Sequence, residues 1–334
     1  MKLLKQESIV YVLAIMIVVG INGPKAAARQ NDVSSIAVSR GDIEFFGMTH
    51  QQYLYGLGDI EESKFISKRV RLGAKGEINS YSGIKIMAEF AGTPKLLDGV
   101  INLTPSEKIT FSIGQYKPPF GTDFLISATA FPFVNPTKVK KLGTGRDIGM
   151  SINVKNRFSD SFSLNFDAGL FNGSGKNSED KNESKNFISR LEIGLMEMFT
   201  IAPNVIIGKT NDAADPEDLS TYGGSIRWEW KNEVVVGEYI HSSDALDKEG
   251  WYIWGGHTFV TDFKFLPEIQ VLARYEELDE DLNITGDKTD RITLGTNLFV
   301  DKKYTKVSLN YQINGEEGAS KDNNEIAVNF QLVF

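Results

Sequence analysis

The chain has no cysteine, which excludes disulfides, thiolate metal sites, a lipid-modified N-terminal cysteine and covalently attached haem. It also has no apolar run long enough for a membrane helix. The one extended run is Ile9 to Ile21, well short of the roughly 20 residues that cross a bilayer. Histidine is scarce: His50, His241 and His257 are the full set. His241-Ser242 would begin a hydrolase pair, but no G-x-S-x-G element and no third group orients the imidazole. No enzyme activity is expected, and the histidines read as surface or rim residues. Gly173-Ser174-Gly175-Lys176 resembles a phosphate-binding loop, but Leu170 stands where its first glycine belongs. From Asp279 to Asp290 oxygen-bearing residues alternate as in a calcium loop. The glycine falls in the eighth place, not the sixth, and Asp290 replaces the terminal glutamate. No cofactor and no metal are expected, and the net charge of −8 disfavours nucleic acid as a partner.

What is present is a strong period of two. Lys2 and Lys5 precede the Ile9–Ile21 run and Ala26-Ala27-Ala28 follow it, the layout of a secretory signal peptide. The division is therefore a signal peptide at 1–28 and one mature domain at 29–334. Beyond residue 40 the sequence repeats about ten residues of apolar/polar alternation and then turn residues. In Lys306 to Asn314, Val307, Leu309, Tyr311 and Ile313 take one face; in Glu325 to Phe334, Ile326, Val328, Phe330, Leu332 and Phe334 do so. The template gives sixteen segments, near 41–55, 65–78, 83–91, 97–103, 108–117, 146–155, 161–171, 186–196, 203–209, 222–231, 233–241, 251–260, 267–276, 290–300, 304–313 and 325–334. The eleventh and twelfth have no clear polar face.

A soluble β-sandwich alternates too, and two features favour a membrane barrel over it. The polar faces are heavily charged, which suits a water-filled lumen. The connections alternate in length: 56–64, 172–185, 210–221, 242–250, 277–289 and 314–324 are long, whereas 80–82, 156–160, 231–232 and 301–303 are tight. Long loops on one side and short turns on the other are the asymmetry of outer-membrane barrels. The expected fold is all-β, an antiparallel transmembrane barrel of about 16 strands in the outer membrane, with Trp228, Trp230, Trp251 and Trp254 in its interfacial girdles.

The residues carry a family resemblance as well. Gly114 to Gly121 (GQYKPPFG), Gly145 to Gly149 (GRDIG), Phe166 to Gly173 (FDAGLFNG) and Arg291 to Leu298 appear in an order that resembles the phosphate-selective porin O/P family of outer-membrane porins. The resemblance implies a trimeric, channel-forming barrel whose third outward loop folds into the pore. It also implies that the terminal Phe334 is the signal read by the barrel-assembly machinery. The constriction loop would be 118–145, whose Pro118, Pro119, Pro132 and Pro136 hold it to stiff, non-helical paths. The family's lumenal arginines and lysines do not align one by one, so its phosphate selectivity does not carry over.

The charge of the mature chain, −10, is unevenly spread. The outward loops at 57–64, 172–186, 210–220, 242–250, 277–290 and 314–324 hold 22 acidic and seven basic residues, leaving the remainder at +5. The acidic loops read as a solvated crown bridged by divalent ions to lipopolysaccharide. At the expected constriction Asp123 faces Lys117, Lys138, Lys140, Lys141 and Arg146, and inward strand positions add Arg69, Arg71, Lys75, Lys85, Arg190 and Arg274. Because a field focuses where a low-dielectric wall narrows, this predicts a passive channel for small polar solutes with a weak anion preference. The alternative is a barrel that scaffolds a partner protein and stays closed.

Overall fold

The computed structural model describes residues 43–58, 62–211, 215–301, 304–317 and 323–334; the expected signal peptide lies outside the described residues. Sixteen strands form one closed antiparallel barrel in which each strand pairs with its sequence neighbours and the last closes on the first. The first eight are β1 (Ile43–Gly56), β2 (Ser63–Asn79), β3 (Ser82–Glu89), β4 (Lys95–Ser106), β5 (Ile109–Tyr116), β6 (Asp147–Ser159), β7 (Phe162–Phe171) and β8 (Asn186–Leu195). The second eight are β9 (Phe199–Lys209), β10 (Asp218–Trp230), β11 (Glu233–Ser243), β12 (Asp247–Val260), β13 (Glu268–Asp279), β14 (Thr289–Phe299), β15 (Thr305–Glu316) and β16 (Glu325–Val333). All sixteen expected segments are strands. Closure leaves no edge with unpaired backbone groups, which is what allows a sheet to stand in hydrocarbon.

Residue parity selects the side as expected. In β15 and β16 Leu309 and Phe330 are about half exposed to the outside, while Ser308, Asn310, Asn329 and Gln331 are buried inward. Exposed aromatics ring both ends: Tyr81, Phe158, Trp230, Phe263 and Tyr304 at the turn end, Tyr55, Phe65, Tyr239 and Trp251 at the loop end. Trp254 departs from the girdle expected of it; it is buried inward with its ring 6.0 Å from that of Phe133.

The strands run further at the loop end than the alternation indicated. Residues 242–250, read as a loop, are mostly ladder: Ser243 pairs with Asp247, leaving three residues to connect β11 and β12. Above the lipid both faces meet water, so the apolar period disappears although the backbone pairing continues. β9 begins four residues before Pro203, where the sequence reading started it, because a proline without an N–H interrupts the ladder without ending the strand. The pairing with β8 accordingly skips from Asn204 to Ile201.

The missing polar face of β11 and β12 has a physical cause. Their inward residues Val234, Val236, Ile240, Tyr252 and Trp254 belong to a dry cluster with Phe120, Phe124, Phe133, Val139 and Leu142 of the β5–β6 connection. One face of these strands meets lipid and the other meets protein, so both are apolar.

Candidate permeation pathway

The β5–β6 connection turns into the lumen. It contains a four-residue helix, α1 (Thr122–Leu125), and 3₁₀ turns at Ala128–Ala130 and Lys138–Leu142. Its apolar residues seat on β7 to β13, and a second cluster of Met48, Ala128 and Phe131, with Ile126 and Val333 against it, joins it to β1 and β16. Gly121 has φ 64°, and a Cβ there would lie 2.4 Å from the Phe124 ring, so glycine lets the chain turn back beneath that ring.

Backbone groups removed from water need partners, and the wall supplies them. Glu238 accepts the Thr122 N–H and, at 3.3 Å, the Asp123 N–H at the start of α1, while the Tyr252 hydroxyl donates to it at 2.9 Å. Glu276, fully buried, accepts the Lys138 N–H at 2.6 Å where the second 3₁₀ turn begins, and it is held by Arg274 at 3.1 Å and by Arg291. Asn310 accepts the Val134 N–H at 2.7 Å; Lys306 donates to the Phe131 carbonyl at 2.7 Å and Gln331 to that of Thr129 at 3.1 Å. A carboxylate at an exposed N–H cluster also meets the positive end of the local peptide dipoles. None of these wall residues was singled out as a tether from sequence. The one legible signal was a lone charge, Glu238, on an apolar inward face.

The loop covers the arc from β7 round to β1 and leaves a cavity of about 510 Å³ along the opposite wall. This cavity runs between Phe46 and Lys75, near the turn ends of β1 and β2, and Lys117 and Arg146, at the loop ends of β5 and β6. Its charges are unevenly paired. Arg71 meets Glu89 at 2.8 Å, and the single Asp98 carboxylate is shared by Lys85 at 2.8 Å and Arg146 at 2.6 Å. Arg69 lies over the Phe131 ring at 5.4 Å with a nitrogen 3.1 Å from His50, which is therefore a wall residue and not a rim one. Lys140 lies over the same ring at 5.1 Å and donates to the Asp123 carbonyl, while Lys117 donates to the carbonyls of Leu125 and Ile126. Among the described residues no ion pair joins Arg69, Lys117 or Lys140 to a carboxylate. Burial, reinforced by Arg146 and Lys140, pushes the Lys117 ammonium down to about 7. Burial also lowers Lys140, against the pull of Asp123.

A second connection reaches the same place. Asp147, fully buried, accepts the N–H groups of Gly173 at 2.6 Å and Gly175 at 3.1 Å, and Gln115 accepts that of Asn177 at 2.6 Å. Gly173, Gly175 and Asn177 all have positive φ, 77°, 76° and 55°. The Gly-Ser-Gly-Lys turn is thus an anion cradle already filled by the chain's own carboxylate. This brings Lys176 within electrostatic range of Arg146 and Arg71, and burial, then Lys95 and these two cations, lower its ammonium.

Several residues assigned to the pore from sequence stand elsewhere. Arg274 is buried beneath the Phe133 ring, 4.5 Å from its centre, and donates to the Asn135 carbonyl. Arg190, also buried, bonds the Thr122 hydroxyl at 3.0 Å and Glu192 at 3.1 Å. Lys138 donates to the Asp290 carbonyl and Lys141 pairs with Glu280 at the loop end. The Asp123 carboxylate accepts the N–H and hydroxyl of Thr137 at 3.1 and 2.9 Å and acts on Lys140 only through space. Parity assigns a strand residue's side but not whether water or the loop meets it there. Arg69, Arg71, Lys75, Lys85, Lys117, Lys140 and Arg146 are the expected residues that the fold gathers around the open arc.

No protein-family model matches the sequence, and no curated protein matches it. Solved structures match in fold. The anion-selective porin from Comamonas acidovorans aligns with TM-score 0.65 at 13% identity, over 88% of this chain and 100% of that one. OmpF of Salmonella typhi, in complex with daunomycin, aligns with TM-score 0.64 at 11% identity, over 88% and 98%. The trimer form of OmpT, an outer membrane protein of Vibrio cholerae, aligns with TM-score 0.61 at 13% identity, over 88% and 100%. At such identities the likeness speaks to the fold alone. The closed ladder, the apolar belt between two aromatic rings and these neighbours make the chain a sixteen-stranded outer-membrane β-barrel.

Proposed function

We propose that the chain is a passive porin for small polar solutes with a weak preference for anions. The carrying observation is the cavity along β1 to β6, lined by Arg71, Lys75, Lys85, Lys117 and Arg146 with Arg69 and Lys140 beside it, seven cations against Glu44, Glu89, Asp98 and Asp123. A narrow passage in a low-dielectric wall concentrates the field of such a set. In the same reading the chain is a member of the phosphate-selective porin O/P family and a homotrimer, the OmpT trimer form being a precedent on this fold. Residues 1–28 are removed on secretion, and Phe334 is read by the barrel-assembly machinery. The acidic outer loops meet lipopolysaccharide through divalent ions. Reconstitution into planar bilayers under a salt gradient tests the central claim: stepwise conductance with a reversal potential on the anion side is expected. Clear cation selectivity overturns the preference.

One observation favours the second reading, a closed scaffold barrel. The inward loop is anchored on both β7–β13 and β1/β16, and a separate cavity of about 550 Å³ lies across its Ser127–Thr129 segment from the first. Such a barrel stays silent in the bilayer experiment.

A further inference from the structure

The wall of the open arc is not uniformly polar. Parity gives lumen-facing positions to water in a barrel of this kind, and on β7 to β13 the exceptions are covered by the docked loop. On β1, β3 and β4 the inward residues include Phe46, Met87 and Val100, and these belong to neither of the loop's apolar clusters. They line the cavity itself, together with Leu125 of the loop.

The register places this apolar strip between charges. Phe46 pairs with Gly73, and Gly73 with Met87; the Phe46 ring occupies the space where a Gly73 side chain would stand, 2.4 Å from an added Cβ. One step along the same faces is the row Glu44–Lys75–Lys85, and one step the other way is Met48–Arg71–Glu89. Successive inward residues on a strand are about 7 Å apart, the width of an aromatic ring. Lys75 and Lys85 are direct cross-strand neighbours, so two like charges stand side by side, Lys75 pairing with Glu44 at 3.1 Å and Lys85 with Asp98 at 2.8 Å. Both stay accessible, at 52% and 40% exposure; the partner of Lys75 is the exposed Glu44, and Lys85 shares Asp98 with Arg146, so each ammonium keeps donors free for a solute carboxylate.

We propose that the pore selects organic anions with an apolar body, aromatic or short-chain monocarboxylates, over inorganic anions and acetate. The carboxylate lies at Lys75 and Lys85 while the hydrocarbon lies on Phe46, Met87 and Val100. The inference rests on the porin reading and names the solute class for that pathway; the cavity is ample for a molecule of this size.

Single-channel currents in potassium chloride, with benzoate, hexanoate, acetate or inorganic phosphate added to one side, test it. Benzoate and hexanoate are expected to interrupt the current at concentrations roughly tenfold below acetate and phosphate, the factor given by burying about 50 Å² of apolar surface. Met87→Gln and, independently, Val100→Thr are expected to remove that advantage, the conductance steps themselves reporting that each variant has folded. Lys85→Gln is expected to weaken block by every anion alike. Equal block by benzoate and acetate, or an advantage that survives in both apolar-to-polar variants, overturns the inference and leaves the porin reading standing. A protein that gives no steps before any anion is added overturns both.

Discussion

Replacing Phe124 by alanine tests whether the inward loop is held by its dry side. The ring is 5% exposed and meets that of Phe120 edge-on at 5.8 Å. It also fills the space that Gly121 and Gly143 leave, since a Cβ on Gly143 would lie 2.4 Å from its Cζ. Removing a buried phenyl group costs about 3–5 kcal/mol, transfer and cavity together. The sixteen-strand ladder does not involve Phe124, so the loss falls on docking of the loop and not on closure of the barrel. At about 1.4 kcal/mol per factor of ten, the docking equilibrium weakens by roughly a hundred- to several thousandfold. Trypsin acting on the folded barrel reads this directly through cleavage after Lys138, Lys140 and Lys141, faster in the variant by a factor in that range. Single-channel records should become larger and noisier as the loop leaves the lumen. Cleavage and conductance unchanged from the parent would refute the argument that apolar packing holds the loop.

Three further outcomes follow from the geometry. Lys117, pushed down to about 7 chiefly by burial and then by Arg146 and Lys140, is charged below that value and neutral above it. The anion preference read from reversal potentials should therefore decline between about pH 6 and pH 8 without vanishing, since the arginines stay charged; a flat profile contradicts this. Glu276→Gln leaves Arg274 and Arg291 without their buried carboxylate, a loss of about 3–5 kcal/mol. Faster tryptic cleavage of the loop and a lower unfolding temperature are expected, and an unchanged variant would show that the loop does not depend on this tether. Gly114→Ala places a Cβ 2.1 Å from the Gly99 carbonyl oxygen at φ 129°, so β4 and β5 cannot pair as they do. The yield of heat-resistant folded barrel in SDS gels should drop sharply, whereas Gly175→Ala, with open space around it, should cost only about 1–2 kcal/mol of backbone strain. Equal yields from the two would remove the steric argument.

The barrel was legible because its cause is local. Lipid on one side and water or protein on the other impose a period of two on every strand, and Val307, Leu309, Val328 and Phe330 satisfy it with no knowledge of their neighbours. Turn and loop lengths alternate for an equally local reason. Legibility failed where both faces met the same medium: at the loop ends of β11 and β12, water on both sides hid the ladder residues 242–243 and 247–250, and lower on the same strands apolar surroundings on both sides hid the inner face.

The site was legible only in part. Residue type and parity assign Arg69, Arg71 and Lys85 to the lumen, and they assign Arg190 and Arg274 there on identical grounds. What separates the two groups is the path of the 30 residues between β5 and β6, fixed by contacts with strands more than a hundred positions away, such as Thr122 with Glu238 and Lys138 with Glu276. Sequence alone therefore determined the barrel, its membrane setting and the side of each strand residue, because a two-sided medium acts on each residue separately. Only the tertiary structure decided which part of the inner wall is dry and which cations remain in water, because that depends on where one loop lies across a closed cylinder.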